Sequence, residues 1–237
     1  MSANNGADLD TLPALIFPQA DDRMKAKAVR AYNRAIKEGE DFALAAETFQ
    51  ACHVLVQLYR AANPAIDDLK HALGRAVESS IRERNVLHEV GRCKVWADDR
   101  VLIIELPSGR RLLYWHPGIA AKTKVDAETG EKTERYYVVY TRYRGKQTIR
   151  QRAWAGLFVE NIVQAVANDL LRYAELAVDE QWPDSIVLDI HDEIVLEVPI
   201  GSVKLEELIA VMCAERPWSR GLPMAADGWV HDRYGKR

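Results

Sequence analysis

Apolar residues in the first third of the chain recur at helical spacing, and past residue 90 the pattern changes to a two-residue alternation. Met24, Val29, Tyr32, Ala35 and Ile36 fall near one face of a helix predicted over residues 21–40, with Gly39 as its stop. A second helix is predicted from about Ala43, striped by Phe49, Cys52, Val56 and Tyr59. Asn63 as N-cap and Pro64 at the first helical position open a third, whose stripe is Ile66, Leu69, Leu73 and Val77.

Residues 93–96 and 101–106 then read as strands joined at Asp98-Asp99, and Pro107-Ser108-Gly109 turns into a strand at 112–115. Residues 126–130 form a polar loop tip, and 135–143, rich in Tyr and Val, reads as another strand. A long helix is predicted over 154–178, followed by apolar runs at 186–190 and 194–198 that only His191, Asp192 and Glu193 separate. Leu205, Leu208, Ile209 and Met212 mark a short amphipathic helix, and 223–230 is a last strand candidate. Helices first and strands mixed with helices afterwards predict an α+β protein with an antiparallel sheet. The expected segments are a loose tail over 1–20, a helical part over 21–85 and a sheet-bearing part over 86–237.

Composition narrows the classes. At 237 residues and 48% hydrophobic content the chain can bury a real core. Cys52, Cys93 and Cys213 are scattered and odd in number, which argues against a disulfide framework and fits a reducing cytoplasm. No apolar run is long enough to span a membrane, and the polar stretch after Met1 reads as a genuine chain start without a signal peptide. The net charge of −3 averages over very different regions. Residues 136–159 hold no acidic residue but include Arg142, Arg144, Lys146, Arg150 and Arg152 among Tyr136, Tyr137, Tyr140, Tyr143 and Trp154. Cations interleaved with aromatics suit a phosphate backbone and stacked bases, although a solvated cationic hairpin has the same composition.

The most informative stretch is 185–199, Ser-Ile-Val-Leu-Asp-Ile-His-Asp-Glu-Ile-Val-Leu-Glu-Val-Pro. Tight hairpins usually turn on Gly, Asn or Asp-Gly, whereas this one turns on His-Asp-Glu. Two adjacent carboxylates at the tip of strands expected to be buried offer hard oxygen ligands on a stiff support, as Mg²⁺ requires. A solvated acidic turn is the other reading. On the preceding helix Val159, Ile162, Val163, Val166, Leu170 and Ala174 are expected to line the apolar face. Glu160, Gln164, Asn168 and Arg172 recur on another face, with Asn161 beside them. Amides there suit the reading of base or sugar edges.

The run Phe-Val-Glu-Asn-Ile-Val-Gln-Ala at 158–165, Asp169-Leu170-Leu171, Ile190-His191-Asp192-Glu193 and Val198-Pro199 together resemble the C-terminal palm of family A DNA polymerases of the phage type. His-Asp-Glu there is motif C. Residues 49–66, 106–112 and 221–234 are similar to the flanking parts of that palm, so the resemblance runs from about Ala43 onwards. It is weakest over 79–91 and 120–151. It implies a partial palm with a helical remnant of the fingers, Asp192 as a ligand of catalytic Mg²⁺, Glu193 shaping the same site and His191 near the primer-terminal phosphate. Gln164 would contact the nascent pair in the minor groove, and Arg110 or Arg111 the primer or template backbone. Primer-template DNA and dNTPs are the implied partners, in a bacterial host cytoplasm if the chain is phage-encoded.

Residues 153–157 read Ala-Trp-Ala-Gly-Leu where relatives commonly have Thr-Tyr-Gly-Gly-Lys, so a basic contact is missing. No Asp-Tyr-Ser-x-x-Glu stretch (motif A) and no Arg-x-x-x-Lys helix (motif B) occurs, so the resemblance implies a two-metal site completed by a larger polymerase subunit. A non-catalytic DNA-binding or regulatory protein is the rival, and a metal-dependent nuclease using Asp189 and Glu197 a third reading.

Overall fold

The computed structural model describes residues 9–39, 44–125 and 132–235, and the chain divides into two units, Met1–Asp68 and Leu69–Arg237. The first unit holds α1 (Leu12–Ile16), α2 (Asp22–Lys37), α3 (Ala46–Ala62) and the start of α4 (Pro64–Arg82), within which the division falls. The Asp21 carboxylate accepts from the Met24 backbone N–H at 2.7 Å and caps α2, and Gly39, at φ +77°, ends it in a conformation that costs glycine little. Within the expected tail, Leu12 and Ile16 form part of α1 and bury against Ala28, Ala51 and Val54. Asn63 stands at the N-cap position of α4, which Pro64 begins, and its carbonyl accepts from the Asp67 N–H, but its side chain donates back to the Tyr59 carbonyl at 2.8 Å and finishes α3.

The second unit is built on a six-stranded antiparallel meander in the order β1 to β6. Its strands are His88–Val90, Cys93–Ala97, Val101–Glu105, Arg111–Val125, Lys132–Arg144 and Gln147–Ala153. Asp98 accepts from the backbone N–H groups of Arg100 and Val101 at 2.7 and 2.8 Å, closing the β2–β3 turn. The turn expected at residues 126–130 lies outside the described residues. One face of the sheet presents Val95, Leu102, Ile104 and Tyr114 to Leu73, Val77 and Phe158, in the main core. Phe158 belongs to α5 (Ala155–Gln181), and its ring meets Tyr114 edge-on at 5.0 Å.

Three expectations fail here. Val163, assigned to the apolar face of α5, is 60% exposed, while Asp169 is buried in line with Phe158 and Ala165. The strands β7 (Ile186–Ile190) and β8 (Glu193–Leu196) are not buried: they form a separate two-stranded sheet in which Val187 is 54% and Leu188 44% exposed. Residues 223–230 form no strand, and neither edge of the β7–β8 sheet is paired among the described residues. Pro223 lacks a ladder donor, and Ala225, Ala226 and Gly228 bring no alternating apolar face to hold a strand in place. α6 (Leu205–Met212) packs against α5.

Candidate functional site

The β7–β8 hairpin closes on the pair Ile190–Glu193, leaving His191 and Asp192 as the two turn residues. His191 sits at φ +57°, in the left-handed region. A two-residue turn with positive φ at its first position favours glycine, and an ordinary side chain there costs about 1–2 kcal/mol. Asp192 is exposed at the tip and accepts no hydrogen bond from the described residues. Glu193 is half-buried and accepts from the Tyr234 hydroxyl at 3.2 Å. Partial loss of hydration, then the Glu193 charge, raises the Tyr234 phenol above its ordinary range.

Asp189, one strand position before the tip, is bound by Arg172 of α5 at 2.7 Å, and Arg172 also holds Glu175 at 2.7 Å. These two carboxylates, Asp189 first, raise the guanidinium further above its usual value. The arrangement fastens the hairpin to the helix and commits Asp189 away from Asp192. No group of three or more His, Cys, Asp or Glu side chains able to hold a metal occurs among the described residues.

On α5 the polar stripe divides by role. Glu160, Gln164 and Asn168 are exposed, and none of them has a hydrogen-bond partner among the described residues. Asn161, one residue further round, turns inward and donates to the Tyr114 hydroxyl at 2.9 Å. Burial is the main cause that raises the Tyr114 phenol, and this bond from Asn161 opposes it.

The arginines divide likewise. Arg110 pairs with Asp169 at 2.5 Å and donates to the Ala165 carbonyl at 2.8 Å, while Ser108 donates to the other Asp169 oxygen. This network ties the Pro-Ser-Gly-Arg turn to the middle of α5. A carboxylate in register with Phe158 and Ala165 needs a cation there, because an uncompensated buried charge is strongly unfavourable. That register is the sequence signal for Asp169, a residue that carries part of the family resemblance without a role read for it. Arg111 pairs with Glu105 at 3.0 Å and lies over the Trp96 ring at 5.2 Å. Arg150 donates to the His116 carbonyl at 2.6 Å and to Thr141 at 3.0 Å, bridging the irregularity between Trp115 and Gly118 in β4. Arg152 lies over the Tyr137 ring at 4.6 Å and is otherwise exposed. Arg110, Arg150 and Asn161, all read from the sequence as nucleic-acid contacts, thus make side-chain hydrogen bonds within the chain, Arg110 and Arg150 while still exposed, whereas Gln164, Glu160 and Arg152 are exposed without such bonds among the described residues.

No family model and no solved structure matches the chain. Over 186 residues it is 33% identical to the DNA polymerase of Bacillus phage SP02, a match that takes in 77% of this chain and 27% of that polymerase. The chain, spanning little more than a quarter of its relative's length, is therefore related to a DNA polymerase.

Proposed function

We propose that the chain is the C-terminal palm part of a phage-type family A DNA polymerase, and that Asp192 is its motif C metal ligand. The match to a phage polymerase over most of the chain carries this reading. The left-handed histidine supports it, since a strained turn residue suits a tip selected for chemistry more than for folding. Asp192 would hold Mg²⁺, with Glu193 beside it and His191 directed to the primer terminus. One exposed carboxylate and a half-buried neighbour do not complete a two-metal site. Bound Mg²⁺ supplies charge stabilisation and positioning for phosphoryl transfer. This chain contributes the outward edge of α5, where Gln164 and Glu160 meet the minor groove of the primer-template, and Arg111 and Arg152 against the backbone of the template strand. The motif A carboxylate and the motif B triphosphate clamp come from a larger polymerase polypeptide that this chain completes. The unpaired edges and exposed Val187 and Leu188 of the hairpin suit an added strand from that partner.

Primer extension tests this directly. Mixing the chain with a polypeptide carrying motifs A and B is expected to give dNTP-dependent synthesis that neither shows alone. Robust extension by the chain alone overturns the shared site. A stable complex that binds DNA and never extends a primer supports the non-catalytic rival.

A further inference from the structure

A sheet with one face in the core normally shows polar residues on the other. The outer face of this one carries large apolar and aromatic side chains among its polar ones. The strand register puts Trp96, Ile103 and Leu113 in one cross-strand row, and Trp115 beside Thr141 and Arg150 in the next. Tyr137 and Tyr143 follow on the same side of β5. Leu113 is 48%, Trp115 38% and Tyr143 59% exposed, so the apolar surface meets solvent. Near the β1 edge it dips into a concavity of about 400 Å³ lined by Asn85, Leu87, Lys94, Trp96, Glu105 and Arg111.

The charges on this face are one-sided. Lys94, Arg111, Lys122, Arg135, Arg150 and Arg152 share it, against the carboxylates of Glu89 and Glu105. Lys94 and Arg111 already neutralise Glu105, at 3.3 and 3.0 Å, and this pairing is what lowers its carboxyl below the usual range. Two of the cations lie over aromatic rings, Arg111 over Trp96 and Arg152 over Tyr137. An apolar surface rimmed by cations marks an interaction site, and its chemistry selects the partner. A polyanion with flat unsaturated faces satisfies both elements. A duplex satisfies only the charge, because its bases are already stacked on one another.

We propose that the outer face of the six-stranded sheet binds single-stranded nucleic acid, with bases stacked on Trp96, Trp115 and Tyr137 and phosphates met by Arg111, Arg152 and Lys122. Under the polymerase reading the strand is the unpaired template, an identity that rests on that reading. The platform itself does not. It is separate in the fold from the carboxylate hairpin and uses none of its residues.

Anisotropy of a labelled oligothymidylate of about a dozen nucleotides, titrated with the full chain, tests the platform. Single strand is expected to bind more tightly than a duplex of equal length. Trp115→Ala and Trp96→Ala should each weaken binding about 5- to 100-fold without changing the salt slope, because stacking releases no counterions. Arg152→Ala should instead flatten the slope by about 0.7. Trp115→Phe, which keeps a ring, should restore most of the affinity. A thermal melt of each variant separates lost binding from lost folding. Wild-type affinity in folded Trp115→Ala and Trp96→Ala, or equal binding of duplex and single strand, overturns the proposal. So does failure of the wild-type chain to bind while the face instead takes up a protein. None of these outcomes touches primer extension, which judges the polymerase reading separately.

Discussion

The six-stranded sheet and the β7–β8 hairpin are built from the same Val, Ile and Leu vocabulary, yet they stand in opposite conditions. Val95, Leu102 and Ile104 are fully buried under α4 and α5, whereas Val187 and Leu188 are about half exposed and both hairpin edges lack partners among the described residues. Helices of the same unit cover the inner face of the sheet, so the side chains on that face serve stability. The hairpin carries the carboxylates on apolar strands that this unit leaves partly uncovered. Strand composition therefore does not reveal burial. What covers a strand decides it, and that cover need not belong to the same polypeptide.

The sharpest test of this contrast is at the tip. In a polymerase assembled as proposed, Asp192→Asn is expected to lower primer extension by at least two to three orders of magnitude, as loss of charge stabilisation at a reacting phosphate does. The melting temperature of the chain should barely move, because Asp192 is exposed and unbonded. Near-normal extension would remove the metal role from the hairpin.

A smaller effect separates the two regions by stability. Phe158→Ala should cost about 3–5 kcal/mol in denaturant unfolding, since Phe158 is fully buried in the main cluster. Leu188→Ala should cost about 1 kcal/mol or less, as much of its surface is already in water. Comparable losses would mean the hairpin is as well packed as the sheet.

The smallest effect concerns the β2–β3 turn. Hydrogen bonds from the Arg100 and Val101 N–H groups hold the Asp98 carboxyl below its ordinary value. A lowered folded value means the contribution is present above the unfolded value of about 4 and is lost as pH falls through the folded one. Asp98→Asn should therefore be slightly less stable than the parent at neutral pH, with the difference closing in acid. A pH-independent difference would assign the effect to shape and not to charge.

Much of this architecture was legible in the chain. The helical stripes and stop signals located α2 to α5, and period-two runs located β2, β3 and β5. The failures have physical causes. β1 is three residues long, and β6, Gln-Thr-Ile-Arg-Gln-Arg-Ala, is a polar edge strand with no apolar alternation to read. On α5 Val159, Ile162 and Ala174 pack inward as expected, but Val163 does not, and Asp169 was left out because it looks polar, while its pairing with Arg110 allows it inside. The carboxylate pair and the outward Gln164 could be picked out from residue types and spacing. The engagement of Asn161, Arg110 and Arg150 could not, because each depends on a partner between 9 and 59 positions away.

The left-handed backbone at His191 also bears on the order in which the chain closes. Hairpins that form from their turns start on residues that visit positive φ readily before the strands meet. Histidine seldom does, so the tip of β7–β8 is a poor place to begin. The strands have to be drawn together from elsewhere, and Arg172, gripping Asp189 from α5, is the contact at hand. Late closure of the hairpin, against a helix already formed, is the order that this contact favours.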